Sequence, residues 1–421
     1  MQNKQTVFFL TLLLLLCSYT SVFSQITIGV SDEPVTGALL QLKQDEGDTG
    51  GANSRKGMIL PRVVLTDLNK LMMDGTAEYT GVDRDSHLGL VVYNVNENRC
   101  ADDPIFKGAY VWSGTKWELL RKEEAPYFIE NDQEGKPFKA RDFGPQAGVW
   151  MLENLAVTKY ADGTPIPMIG NLGADVAGYG YPRTDATKTE WNTPMPEWKR
   201  HHGLLYTFPT ISRGYVPTQI DQKVLDIDMS VKGNEVEVVL ESTAGAKNGK
   251  LQGPCPNNWH VPSDREWSEL EKVIYNDIPK YSTYAKDDKP TPDVWNDQWG
   301  VGWWIWDRPS GLDPNNGIHG HSLAMLNPCL TPGLSSPPSG YQYGKSLLGV
   351  EGGFDAYRLG LITGYLNQAM TAASYGKYAY FWTSSRTSPL STIDRRFDSA
   401  SSIYRGNGDL HIPMSIRCKK D

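Results

Sequence analysis

Residues 255–267, Cys-Pro-Asn-Asn-Trp-His-Val-Pro-Ser-Asp-Arg-Glu-Trp, constrain the fold more than any other stretch. Pro256 and Pro262 fix φ and remove two amide donors, which bars a helix from the first half. Ser263 followed by Glu266 reverses that. It is the S-x-x-E capping box, in which each side chain satisfies an amide that a helix start leaves open. The spacing predicts a helix over 264–276, with Trp267, Leu270 and Ile274 on one stripe that packs on a core. Trp259 and Trp267 read as core anchors rather than a ligand platform, because an indole buries a large apolar area. His260, set between Trp and Val-Pro, reads as a hydrogen-bonded structural histidine.

A chain of 421 residues suits two or three domains. Its 41 glycines and 27 prolines favour short strands and long loops over helix bundles. A net charge of −8 with no long basic run argues against nucleic acid or an anionic membrane as partner. Residues 1–24 read as a signal peptide: Lys4 is the positive region, Val7 to Cys17 the apolar region, and Ser24 precedes a plausible cleavage point. The apolar run is too short to span a bilayer, and no other transmembrane segment is expected in the mature chain. Lipid attachment at Cys17 is disfavoured because Leu16, not a small residue, precedes it. An exported chain, secreted or held at the outer cell surface, is expected. Four cysteines then remain, Cys100, Cys255, Cys329 and Cys418. An even count in an exported chain predicts two disulfides, with three possible connectivities.

Residues 25–122 read as a small β-rich module. Strands are expected at 26–30, 38–42 and 89–94, a short helix at 67–73 capped by Thr66, and a hairpin from 109 to 119 turning at Ser113-Gly114. A charged, proline-ended linker is placed at 123–127. The remainder, 128–421, carries strands near 149–155, 203–208, 353–365, 378–383 and 414–418, with an edge hairpin at 235–240. Residues 277–350 form a long irregular segment rich in Gly, Pro and Trp, with Trp295, Trp299, Trp303, Trp304 and Trp306 close together.

The runs "KGMILPRV", "LGLVVYN" and "YVWSGTKWELL" resemble the N-terminal module of many exported Bacteroidetes proteins, which implies presentation or assembly. In the remainder, "VWMLENLAVTKYADGTPIP", "GLLYTFPTI", "GPCPNNWHVPSDREWSELE", "GGFDAYRLG", "YFWTSSR" and "SIRCKKD" follow in register. Residues of about 128–421 thereby resemble the Fibrobacter succinogenes major paralogous domain. The resemblance implies an α+β, C-type-lectin-like fold and a Cys255–Cys418 disulfide, which would leave Cys100 with Cys329. Phe208 stands where the family usually has Trp, and insertions near 170–250 and 277–345 enlarge this copy. No activity transfers with the resemblance.

Trp295, Trp299, Trp303, Trp304 and Trp306 are the candidate ligand-binding residues, for sugar rings or aromatic peptides, although a mini-core that holds the long loop down, with one or two rings left at a groove, is the favoured reading of the cluster. No cofactor is expected. Calcium would need the oxygen-rich triplets Trp295-Asn296-Asp297 and Asp313-Pro314-Asn315, whose order reverses that of sugar-binding lectins. His201-His202 and His319-Gly320-His321 lack a zinc frame, so no metal site is expected. Glu153, Asp264, Glu266 and Asp355 form no recognisable acid–base pair, and Ser384 and Ser385 read as strand-end hydroxyls. The expected function is non-enzymatic binding of glycan or protein outside the cell through the 277–350 loop. The alternatives are a structural or tip component of a surface fibre or adhesin, and a carbohydrate-active hydrolase using loop carboxylates.

Overall fold

The computed structural model describes residues 26–31, 35, 38–45, 52–79, 84–120, 126–169, 176–184, 191–213, 246–247, 250–284, 312–313, 317–318, 321–363, 371–388, 391–398 and 403–421. The expected leader at 1–24, most of the linker, the hairpin at 235–240 and all five clustered tryptophans, Trp295 to Trp306, lie outside the described residues. The chain divides into two compact units, Met1–Asn96 with Phe106–Leu120, and Glu97–Ile105 with Arg121–Asp421. Among the described residues, no helix is long and apolar enough to cross a membrane.

In the first unit, β1 (Ile26–Ile28) pairs in parallel with β2 (Leu40–Leu42). A second sheet has the order β3 (Arg62–Val63), β4 (Val91–Asn94), β5 (Gly108–Trp112) and β6 (Trp117–Leu119). Strand alternation buries Val92 with Asn94, and Tyr110 with Trp112. The hairpin forms where the sequence predicts it: Trp112 sits opposite Trp117, with the rings edge-on at 5.4 Å. Buried Asn94 is satisfied by the Leu65 and Asn96 amides on its oxygen and the Asn96 and Phe106 carbonyls on its nitrogen. The helix expected at 67–73 does not form. Asp67 takes the Asn69 amide in a local turn, at 2.9 Å. The Leu68 carbonyl accepts the Trp117 amide and the Lys70 carbonyl accepts the Trp117 indole N–H, so acceptors a helix would use internally serve β6 instead.

The second unit is strand-rich and mixed α+β. In chain order it holds β7 (Phe128–Asn131), β8 (Pro137–Asp142), β9 (Val149–Met151), β10 (Tyr179–Gly180), β11 (Leu205–Tyr206), α1 (Phe208–Ile211), β12 (Ala246–Lys247), β13 (Lys250–Leu251) and β14 (Trp259–His260). Then follow α2 (Asp264–Asn276), α3 (Ile278–Tyr281), β15 (Leu312–Asp313), β16 (Gly317–Ile318), α4 (His321–Met325), β17 (Leu361–Thr363), β18 (Thr371–Ala373), β19 (Tyr378–Ser388), β20 (Ser391–Asp398), β21 (Ile403–Asp409) and β22 (Lys419–Lys420). An antiparallel sheet in the order β14-β22-β9-β8-β7 sets the last strand among the first ones. Strands β19, β20 and β21 form an antiparallel meander.

Period-two alternation sends neighbouring residues of a strand into different core clusters. On β9, Trp150 faces one cluster and Met151 another. On β19, Ala379 and Phe381 join Trp150, while Tyr380 and Trp382 join Met151. Helix α2 covers the Trp150 side with Trp267, Leu270 and Ile274, all fully buried, and the two indoles meet edge-on at 4.9 Å. The helix runs where its capping box predicts. Ser263 Oγ accepts the Glu266 amide at 3.2 Å, and Glu266 accepts the Ser263 amide at 2.9 Å. Pro279, in α3, prevents its continuation. Cys255 pairs with Cys418 and Cys100 with Cys329, the pairing that the resemblance implied.

Candidate functional cleft

Two polar constellations stand out among the described residues of the second unit, and the second of them lines a cavity. The first is the 255–267 segment. Its His260 Nδ1 lies 2.8 Å from an Asp421 carboxylate oxygen, and Nε2 lies 3.1 Å from each Glu266 oxygen. Lys419 Nζ reaches the same Glu266 at 3.0 Å. Burial alone would raise the Glu266 carboxyl, but the hydrogen bond and charge of His260, with Lys419, outweigh it and hold the group well below the usual carboxylate range. This group fastens the start of α2 to the chain's last strand. His260 and Trp259 are structural, as read from the sequence.

The second constellation lines a cleft of about 470 Å³. Three sequence motifs converge beneath it. Arg417, from the "SIRC" motif, is fully buried and donates to Asn154 Oδ1 at 2.8 Å, to the Phe354 carbonyl, and to the Asp355 carbonyl at 2.6 Å. Burial pulls its guanidinium down to about 10. Asp355 adopts a left-handed backbone, φ +59°, which Asp tolerates better than most residues. Its carboxylate accepts the Gly349 amide at 2.8 Å and the Asn327 side-chain amide at 2.6 Å. Burial dominates over these contacts and raises the carboxyl to about 6.

Above this floor, Tyr357 packs against both histidines, its ring centroid 4.9 Å from His202 and 5.6 Å from His201. His202 Nδ1 accepts the Lys199 amide at 2.9 Å, so the neutral ring carries its proton on Nε2. Burial, helped by the neighbouring His201 and Lys199 charges, lowers His202 to about 3. Burial also lowers His201. Among the described residues, the contacts of the His201 imidazole are with rings. Opposite charges pair around the lining: Lys139 with Glu153 at 2.7 Å, Arg99 with Glu351 at 2.5 Å, and Lys199 with Asp102 at 3.2 Å. Cys100 and Cys329 also line the cleft.

The structure therefore brings together Glu153, His201, His202 and Asp355, which the sequence offered only as unrelated fragments. It keeps Asp264 and Glu266 apart from them. Asp264 is buried against Arg395, and its amide donates to Ser385 Oγ at 3.0 Å, so Ser385 is a structural hydroxyl. His321 is buried 3.2 Å from Glu271, while His319 lies outside the described residues. Of the two calcium-candidate triplets, only Asp313, in β15, is described. No cluster of three or more His, Cys, Asp or Glu side chains suited to a metal occurs among the described residues. Sequence reading missed Lys139, Asn327, Tyr357 and Arg417. The available signal was polar residues set inside apolar strand motifs, Asn154 in "MLENL" and Arg417 in "SIRC".

Fold and site together define a disulfide-stapled, strand-rich α+β domain that carries a mixed polar and aromatic cleft. The chain belongs to the Fibrobacter succinogenes major domain family, whose model matches residues 146–420. A second model, the phage tail like trimerisation region, matches residues 27–133. No curated protein and no solved structure matches the chain.

Proposed function

We propose that this is an exported, non-enzymatic binding protein whose second unit, a C-type-lectin-like domain, takes a glycan or protein ligand in the cleft, and whose N-terminal region assembles several copies. The cleft carries this reading: it is the size of a small-molecule site, roughly 300–1,000 Å³, with an aromatic wall and convergent polar groups. A hydrolase would need two uncommitted carboxylates across the cleft. Of the carboxylates at the lining, Glu153 and Asp102 are ion-paired and Asp355 is bonded to Gly349 and Asn327, so Glu197 faces no uncommitted second carboxylate, which favours binding over catalysis. Two disulfides and the leader-like residues 1–24 support export.

A tip component of a surface fibre is a second reading, and the trimerisation-region match favours it. The first unit also exposes apolar side chains, Leu39 at 75% and Ile59 at 83%, with Leu40, Met58, Leu88 and Leu120. Further copies of this chain would cover them. Light scattering on the mature chain tests assembly: a mass of three chains, lowered by Ile59→Asp, is expected. A glycan array with and without calcium tests ligand binding. Reproducible hits lost in Tyr357→Ala support the cleft. A blank array with trimers intact moves the function to the fibre reading.

A further inference from the structure

Residues 97–105 lie outside the matched family region, 146–420, yet they belong to the second unit and line its cleft. They are fixed there at three points. Cys100 is bonded to Cys329, whose amide is in turn held by Asn327 Oδ1 at 2.7 Å. Arg99 reaches Glu351 at 2.5 Å, and Asp102 meets Lys199 at 3.2 Å. Asn98 and Ile105 bridge the two ends of the segment through a pair of 2.9 Å backbone hydrogen bonds, and Ile105 is buried. The result is a closed, stapled strap whose Ala101 and Pro104 face the same space as Leu152, Leu330 and Tyr357.

Cys100 is exposed and its half of the strap buries little besides Ile105, so core packing does not account for a covalent link of sequence separation 229. The disulfide's consequence is local. It holds Ala101 to Pro104 in one position against the cleft, where a free segment of this length would sample many. A loop fixed in its bound conformation does not have to be ordered when ligand arrives, which raises affinity.

We propose that the 97–105 strap is a specificity-determining wall of the cleft, and that the site so completed takes a neutral saccharide. This rests on reading the cleft as the ligand site. The charges at the lining point to the ligand class. Arg99, Lys139 and Lys199 are each paired with a carboxylate, so an anionic ligand would have to displace a carboxylate, and Glu197 on the same lining would repel it. Sugar hydroxyls can donate to Glu153 and accept from Lys139 without separating them. The Tyr357 ring and the Leu152, Leu330 and Pro104 side chains offer apolar area to the C–H faces of a sugar ring.

The test uses the mature full chain, residues 25–421, in three forms: wild type, Cys100→Ser/Cys329→Ser, and Ala101→Trp, which keeps the disulfide and adds bulk to the wall. Each is titrated with the neutral oligosaccharides and with acidic ones of equal length, and each is followed by amide hydrogen exchange. The expected result is a preference for neutral sugars, weakened about tenfold or more in both variants. Exchange should rise at 327–334 and 348–357 in the serine variant, with helix α2 still protected as proof of folding. Unchanged affinity and unchanged exchange in both variants, with α2 protected, would overturn the wall. A preference for acidic sugars would overturn the ligand class. If wild type binds no saccharide, the binding reading itself fails, and the exchange comparison alone then decides whether the strap walls the cleft.

Discussion

In the 255–267 segment, His260 gives both ring nitrogens to carboxylates, of Asp421 and Glu266. In the cleft, His202 engages a backbone amide through one nitrogen, and His201 meets rings. Both regions bury histidine, both border a disulfide, and both join residues far apart in sequence. The first ties His260, Glu266 and Lys419 to one another and to Asp421. The second satisfies its floor through Arg417, Asn154 and Asp355 and leaves its upper groups around about 470 Å³ of open space. A satisfied buried network specifies a structure, whereas polar groups turned to a cavity are available to a ligand. The first region is a fastener and the second the proposed site.

That contrast predicts different responses to mutation. The largest loss is expected at the fastener's helix. Trp267→Ala should cost about 3–5 kcal/mol, because Trp267 is fully buried among Trp150, Phe354, Phe381 and Phe397. Denaturant unfolding measures it, and a loss under 1 kcal/mol would break the account of this core. Cys255→Ser should cost about 2–5 kcal/mol, since it removes a fully buried link to the last strand. The Cys100–Cys329 pair, with one exposed cysteine, should matter less to stability than to binding. Equal stability losses from both pairs would erase that distinction.

The next effect is on pH dependence. His202 is held neutral, its pKa lowered from 6.5 to about 3 by burial and nearby positive charge. The unfolded chain takes that proton first as pH falls. His202 therefore contributes stability in full above about 6.5, and this is lost at about 1.4 kcal/mol per pH unit on the way down towards 3. Asp355 acts in the opposite direction. Its carboxyl is raised from 3.8 to about 6, so its contribution is fullest below 3.8 and falls as pH rises to about 6. His202→Gln should flatten the acid loss between pH 6.5 and 4 in urea unfolding. An unchanged slope would mean that His202 is protonated in the folded chain. The smallest effect is at the cap, where Ser263→Ala should cost about 1 kcal/mol and leave ligand binding alone.

The sequence was most readable where structure is local. The capping box marks where α2 begins, and the Trp112–Trp117 hairpin follows from alternation and its turn. Residues 67–73 show the opposite case. Their helical look was real, but the Trp117 amide and indole, almost fifty residues on, claimed the Leu68 and Lys70 carbonyls. The cleft was the least readable part because its lining comes from segments as far apart as Arg99 and Tyr357. Glu153, His201, His202 and Asp355 were each visible, yet nothing in their spacing relates them. Asn154 and Arg417, polar residues inside apolar strands, were the one local sign of a buried polar floor. The tryptophans from Trp295 to Trp306, the sequence's first choice of site, lie outside the described residues, so the cleft rests on other side chains.

The most direct test of the contrast is calorimetric titration of a neutral oligosaccharide, selected on the array, into wild type, Glu153→Gln and Glu130→Gln. Glu153 lines the cleft, whereas Glu130 bonds Trp259 and Lys420 beside the fastener. Binding abolished or severely weakened in Glu153→Gln and retained in Glu130→Gln is the predicted result. Binding that survives Glu153→Gln unchanged would contradict the assignment of the cleft as the ligand site.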